Sequence, residues 1–309
     1  MFNNAFAKHK LITDKIGFAG GAYKWIGFAP DNMFSIQASN NIIDSCKESG
    51  IDNVFFTLWA DNGGESSLFS VMPSLYYIAE YNNGNCSGLD DIDKDKFEDI
   101  MGVGFDDMLK LDILNKTDKQ KTYSEINNKS YFYLYNDLLM RDFDCLLIDG
   151  IGKQYMEVYH EFAAIKINRF SYIFENLANL ARILSIKAEL GKKLYNSYKA
   201  NNKQELKVLI EKDIPLAIEY INNFFKSLQS QWNKENKSFG FEVQCVRLGG
   251  LIKRLEYVKS IIKDYLDNKI ESIEEYEVEY LPLNYSNKKN DQDSYYFNQW
   301  AQIVSHGFI

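Results

Sequence analysis

Val54-Phe55-Phe56-Thr57-Leu58-Trp59 is the stretch on which the reading of this chain turns. β-Branched and aromatic side chains follow one another almost without a break, the composition of a strand covered on both faces. The run closes at Asp61-Asn62-Gly63-Gly64, a loop. Just upstream, Gly50 stands where a helix should stop. Before it, Ile36, Ile42, Ile43 and Cys46 recur at helical spacing, which predicts a helix over residues 35–49. Residues 16–19 form a short apolar run ended by Gly20-Gly21, a second strand with its turn. Downstream, Leu68, Val71, Met72, Leu75 and Ile78 mark another helix. Strand, helix, strand, helix with apolar strands implies parallel strands covered by helices. In such folds chemistry gathers at the carboxyl ends of the strands. Here those ends carry Tyr23, Trp25, Trp59 and Asp61.

The character changes after residue 81. Residues 82–130 are polar and acidic, with Asn82-Asn83-Gly84-Asn85 and the run Asp90-Asp91-Ile92-Asp93-Lys94-Asp95, and they predict one short helix near 96–112 between loops. The aspartate run lacks the glycine at the sixth place and the acid at the twelfth that a calcium loop requires, so it reads as a solvated turn. Residues 151–270 are helical, with long periodic stretches over 152–200, 203–233 and 240–268. Leu177, Leu180 and Leu184, then Leu206, Leu209 and Ile210, recur three and four apart with Lys and Glu between them, the pattern of an antiparallel bundle. Residues 274–279 read as a charged, exposed strand or helix end, and 284–295 as a polar loop. The expected organisation is therefore a partial α/β unit over 1–81, a polar acidic connector with short helices over 82–150, and an all-α domain over 151–309.

Composition narrows the function classes. The 309 residues carry 35 Lys and Arg against 43 Asp and Glu, a net charge of −8, which argues against a general nucleic-acid binder because phosphate contacts need a basic face. No apolar run approaches ~20 residues, so no transmembrane helix is expected, and the N-terminal residues have no apolar signal core. Cys46, Cys86, Cys145 and Cys245 lie in no short pair, and His9, His160 and His306 are far apart. Free thiols, no metal or other cofactor, and a cytoplasmic location are the expectations.

Trp59 and Asp61 are the most informative pair. Along a strand, residues i and i+2 share a side, so indole and carboxylate would face one hollow. Sugar sites are built this way: an aromatic face covers the C–H face of a pyranose, and a carboxylate accepts hydrogen bonds from its hydroxyls. The same spacing fits a core tryptophan with an aspartate capping the next helix. Tyr23 and Trp25 repeat the relation at the preceding strand end, with the same two readings.

Phe18-Ala19-Gly20-Gly21-Ala22-Tyr23-Lys24-Trp25-Ile26-Gly27-Phe28-Ala29-Pro30 and Thr57-Leu58-Trp59-Ala60-Asp61-Asn62-Gly63-Gly64-Glu65-Ser66-Ser67 resemble the penultimate and last barrel strands of a bacterial group within glycoside hydrolase family 20, the β-N-acetylhexosaminidases. Leu184-Ser185-Ile186-Lys187-Ala188-Glu189-Leu190-Gly191, Asn236-Lys237-Ser238-Phe239-Gly240-Phe241-Glu242-Val243-Gln244 and Arg247-Leu248-Gly249-Gly250-Leu251 are similar to the helical C-terminal domain of the same group. The resemblance covers nearly the whole chain. It implies the last two β/α units of a TIM-type barrel followed by a C-terminal helical bundle.

It also implies a retaining, substrate-assisted hydrolysis in which the acetamido oxygen of the substrate attacks the anomeric carbon. An adjacent Asp-Glu pair orients the acetamide and protonates the leaving oxygen. The sequence contains no Asp-Glu dipeptide, and an eight-stranded barrel needs ~250 residues. The expectation is a C-terminal part of such an enzyme, a truncated or split gene product or one half of a two-chain enzyme, with the catalytic pair outside it. Carried over by resemblance, Trp59 would stack beneath a terminal N-acetylhexosamine, Asp61 would bind its distal hydroxyls, Tyr23 would approach the acetamido group and Trp25 would wall the pocket. Glu65 is expected at the start of the following helix as a structural carboxylate. Glu242 and Arg247 are expected as an internal charged pair or interdomain contact, and His160 as a surface residue. The implied partners are an N-acetylhexosamine-terminated glycan and a separately encoded N-terminal half or a second copy, with neither nucleic acid nor membrane. A non-catalytic helical interaction module and a lectin-like binder are the rival classes.

Overall fold

A computed structural model of the chain describes residues 2–24, 27–59, 63–116, 128–141, 144, 147–165 and 169–278. Two units are distinguished, one built on residues 2–112 with Arg169 and Phe170, the other on the described residues of 113–165 and on 171–278.

The first unit begins with helix α1 (Phe2–Lys10), followed by strand β1 (Phe18–Gly21), helix α2 (Asn32–Glu48) and strand β2 (Val54–Thr57). The strands pair in parallel, Phe18 opposite Val54 and Gly21 opposite Thr57. The predicted βαβ crossover is therefore present. β2 stops at Thr57, so Leu58 and Trp59, which the apolar run places in the strand, lie beyond it. α2 starts where Asp31 accepts the Phe34 N–H at 3.2 Å. It ends in a Schellman turn, with Gly50 at φ +61° and the Ile51 N–H returning to the Cys46 carbonyl at 2.9 Å. One face of the strand pair packs on the helices. Phe6, Cys46 and Ile51 form a small core there with Phe18 and Val54 against them.

The other face is uncovered. Phe55, which alternates away from the helices, is 55% exposed, and no third strand pairs with β1 or β2 among the described residues. The sequence predicts strands covered on both sides. These two are covered on one.

A 3₁₀ turn (Leu68–Val71) leads into α3 (Met72–Asn82). The single helix predicted near 96–112 is instead α4 (Lys94–Met101) and α5 (Phe105–Leu109) with a 3₁₀ segment (Lys110–Asn115), broken where Gly102 turns left-handed at φ +71°. Asp93 caps α4 through the Lys96 N–H at 2.9 Å. Asp91 accepts from the backbone N–H groups of Ser87 and Gly88. The aspartate run thus caps chain ends, and no metal-holding cluster of His, Cys, Asp or Glu occurs among the described residues.

The second unit is helical. α6 (Lys129–Tyr135) is buried at every position. The periodic stretch 152–200 is three helices, α7 (Ile151–Ala164), α8 (Ser171–Lys187) and α9 (Leu190–Lys199). α10 (Lys203–Val208) passes through a π-helical turn (Leu209–Asp213) into α11 (Ile214–Glu235); α12 (Glu242–Leu266) and α13 (Glu274–Glu277) follow. Pro215 explains the π turn: it has no N–H for the carbonyl four residues back, and the Ile214 N–H reaches five residues back to Leu209. α7 and α8 run antiparallel, since Gly152 lies against Ser185 and the Phe162 ring meets Phe174 at 6.1 Å.

Leu177, Leu180, Leu184, Leu206, Leu209 and Ile210 are all buried, as their spacing predicts. α8 and α11 also share a buried polar contact, Asn176 donating to Gln231 at 3.0 Å and accepting from Ser227 at 3.2 Å. Tyr276 of α13 is buried, so that segment is not wholly exposed. No helix of the described residues is long and apolar enough to cross a membrane. The predicted loop 284–295 lies outside the described residues.

Candidate functional site at the strand ends

Ala22 continues the ladder past β1, its N–H bonding the Thr57 carbonyl at 3.0 Å. Tyr23 and Trp59 each follow the carboxyl end of one of the two adjacent parallel strands, two residues past it. Trp59, two residues past the end of β2, is 53% exposed. Tyr23 is half-buried. Its N–H donates to Ser35 Oγ at 2.9 Å, its carbonyl accepts the Asp31 N–H at 2.8 Å, and its ring meets Phe34 edge-on with centroids 4.4 Å apart. The start of α2 thus fixes the tip of β1. Trp25 and Asp61, the other two predicted site residues, lie outside the described residues.

Behind these tips is a buried polar layer that local sequence patterns signal only faintly. Lys24 is 2% exposed and donates from Nζ to the Ser66 carbonyl at 3.3 Å. Its neighbour there, Glu65, is also buried. A lysine set between two aromatics at a strand tip was the available signal for Lys24. Ser66, Ser70 and Ser74 line the start of α3, with Ser66 and Ser70 hydroxyls 3.0 Å apart.

Asn32 is the centre of this layer: its amide donates to the Ser70 carbonyl at 3.0 Å and to Asp112 at 3.1 Å. Asp112 also accepts the backbone N–H groups of Asn32 and Met33, at 2.9 and 2.8 Å. Two carboxylates, Asp31 and Asp112, therefore meet the positive end of α2. Burial first, and then the neighbouring Asp31 charge, push the Asp112 carboxyl up to about 8 against the pull of those N–H groups. Asp112 is 80 residues from Asn32, so no local pattern announces it. This layer can orient the strand-end loops.

The remaining singled-out residues fall in the second unit. Glu242 accepts the Gly240 N–H at 2.8 Å, Arg247 is buried and His160 is exposed. Cys46 and Cys86 are buried free thiols, Cys245 is an exposed one, and Cys145 lies outside the described residues.

Comparison with known proteins gives one family. Residues 106–295, more than half of the chain, match the family model described as the Glycoside Hydrolase 20C C-terminal domain. A search of curated protein sequences found no match. The matched span holds nearly all of the helical unit and ends upstream at α5, short of the strands. The chain belongs to the Glycoside Hydrolase 20C C-terminal domain family.

Proposed function

We propose that the chain is the C-terminal part of a β-N-acetylhexosaminidase, carrying one wall of the sugar subsite and not the proton donor. The observation that carries this reading is the pair of parallel strands left open on the Phe55 face among the described residues, with Trp59 half exposed just past the carboxyl end of β2. Parallel strands are normally covered on both faces. Two such strands, at the front of a helical domain of this family, fit the last two units of a barrel whose remaining strands come from residues outside this sequence. Trp59 would then offer the indole face to a terminal N-acetylhexosamine, with Asp61 accepting from its hydroxyls and Tyr23 and Trp25 closing the side. The acetamido oxygen of the substrate would serve as nucleophile, and the Asp-Glu pair that assists it would come from the complementary barrel segment, a separately encoded half or further chain.

The test is an assay of the purified 309-residue chain on a chromogenic N-acetyl-β-glucosaminide. No hydrolysis is expected from the chain alone. Adding a polypeptide that supplies the front of a family 20 barrel should restore it, and Trp59→Ala should abolish the restored activity. Ordinary turnover by the chain alone would overturn the proposal. A second reading, a non-catalytic helical module, is favoured by the family match falling on the helices. It predicts that no complementing segment restores hydrolysis.

A further inference from the structure

The cleft between α10 and α12 encloses about 590 Å³, within the range of small-molecule sites. Its walls carry four lysines against two carboxylates, Glu211 and Asp267, in a chain whose net charge is −8. Lys203 and Lys207 stand one helical turn apart on one wall, Lys259 and Lys263 one turn apart on the other. Residues so spaced have Cβ atoms about 5–6 Å apart. Like charges at that spacing repel, and among the described residues only the second pair is relieved, by Asp267.

The four lysines are not equivalent. Lys263 is held by Asp267 at 2.5 Å, and Lys203 by Asn268 Oδ1 at 3.1 Å, with its ammonium over the Tyr265 ring at 5.3 Å. Lys207 and Lys259 make no hydrogen bond or ion pair with any described residue. The floor between them is apolar: Ile210, buried in the π turn, and Leu266. Glu211, also on the wall, offers a carboxylate to a hydroxyl donor.

We infer that this cleft binds a small organic polyanion bearing two phosphate or sulfate groups on a hydroxylated, sugar-sized frame. Lys207 and Lys259 contribute the charge that the described residues leave unpaired, Lys203 an ammonium held in place by Asn268, and Glu211 the contact to a hydroxyl, while Lys263 is already paired with Asp267. A ligand with two anionic groups can meet Lys207 on one wall and Lys259 on the other at once, which a singly charged ion cannot. The inference concerns the helical unit alone and does not depend on the proposed function.

Isothermal titration calorimetry on the intact chain tests it, with fructose 1,6-bisphosphate in one arm and a disulfated disaccharide in the other, at matched ionic strength. Saturable binding of one equivalent of either probe is expected. The arm that binds more tightly identifies the ligand as a phosphate or a sulfate ester. Lys207→Glu with Lys259→Glu should weaken that binding about tenfold or more, with the circular dichroism unchanged. The milder pair Lys207→Gln and Lys259→Gln should weaken it in the same direction, which covers a misfolded charge reversal. The same reversal at the remote surface residues Lys153 and Lys226 should alter affinity by about twofold at most. Failure of both probes to bind, or an equal loss from the remote reversal, would overturn the inference.

Discussion

Lys187 shows what a single side chain does in the helical unit. It is 2% exposed at the end of α8, and its Nζ donates to the carbonyls of Tyr133 and Asn136 at 3.3 and 2.8 Å. Those are carbonyls at the end of α6, which has no further turn to satisfy them. Burial brings the ammonium down to about 7, opposed by Asp137 and Asp144. The neighbouring Glu189 serves another helix end, accepting the Gly150 and Gly152 N–H groups at 3.0 and 3.2 Å at the start of α7. The segment 184–191 is thus a joint in which one lysine and one glutamate close two helices. In the unfolded chain a lysine titrates near 10.4. Between about pH 7 and that value the unfolded chain binds more protons at Lys187 than the folded one, so stability rises with pH across this window. Lys187→Met should remove that rise, a difference on the order of 2–4 kcal/mol between the ends of the window. Urea-unfolding midpoints of the two proteins from pH 6.5 to 10, roughly the window that the unfolded and folded values bracket, check it. Parallel pH profiles would contradict the assignment.

Helix packing depends as closely on what is absent as on what is present. At the crossing of α7 and α8 a Cβ on Gly152 would lie 2.5 Å from the Ser185 carbonyl oxygen and 2.9 Å from Glu189. The backbone of α8 cannot yield as a side-chain tip can. Gly152→Ala should therefore cost about 1–3 kcal/mol, read as a lower thermal midpoint, although alanine is the better helix former. An unchanged or raised midpoint would show that the crossing relaxes.

Elements of this kind were only partly legible in the sequence. The βαβ crossover was legible because Gly50 stops α2 and the apolar runs on either side are rich in β-branched and aromatic residues, whereas the cap at Asp31, four residues before the predicted start, was not. The buried leucines of α8 and α10 were legible from their spacing. The division of 152–200 into three helices was not, because the periodicity runs on through breaks set by contacts distant in sequence, such as that of Glu189 with Gly150. The buried α6 lay in a stretch that reads as polar connector, its Tyr-Phe-Tyr-Leu-Tyr core flanked by Asn and Lys. Of the candidate site, the place of Tyr23 and Trp59 just past the strand ends was legible from the apolar runs before them, while the alternation with Trp25 and Asp61 falls on residues outside the described ones. The Asn32–Asp112 layer was not, since its partners meet only after folding.

At the scale of the whole molecule the two units differ in how far each completes itself. In the helical unit, α8 packs on α6, α7, α9 and α11, and its long apolar side chains find partners within the unit. In the first unit, a two-stranded parallel sheet leaves Phe55 and Trp59 more than half exposed and, among the described residues, both strands with an open edge. Such edges pair with whatever extended chain is available, and an apolar face of this kind seeks a cover. The intact protein should therefore self-associate through β1 and β2. Phe55→Lys, which places a charge on that face and touches no core residue, should shift it toward monomer in sedimentation velocity. Limited proteolysis of the intact chain should then cut first within residues 1–112 and accumulate a fragment holding α7 to α12. Its long helices keep their amide hydrogen bonds internal, whereas each short strand has one partner only. Survival of the strand-bearing fragment after the helical one had gone would mean that the sheet is closed by contacts of its own, and the case for a missing complement of strands would fail with it.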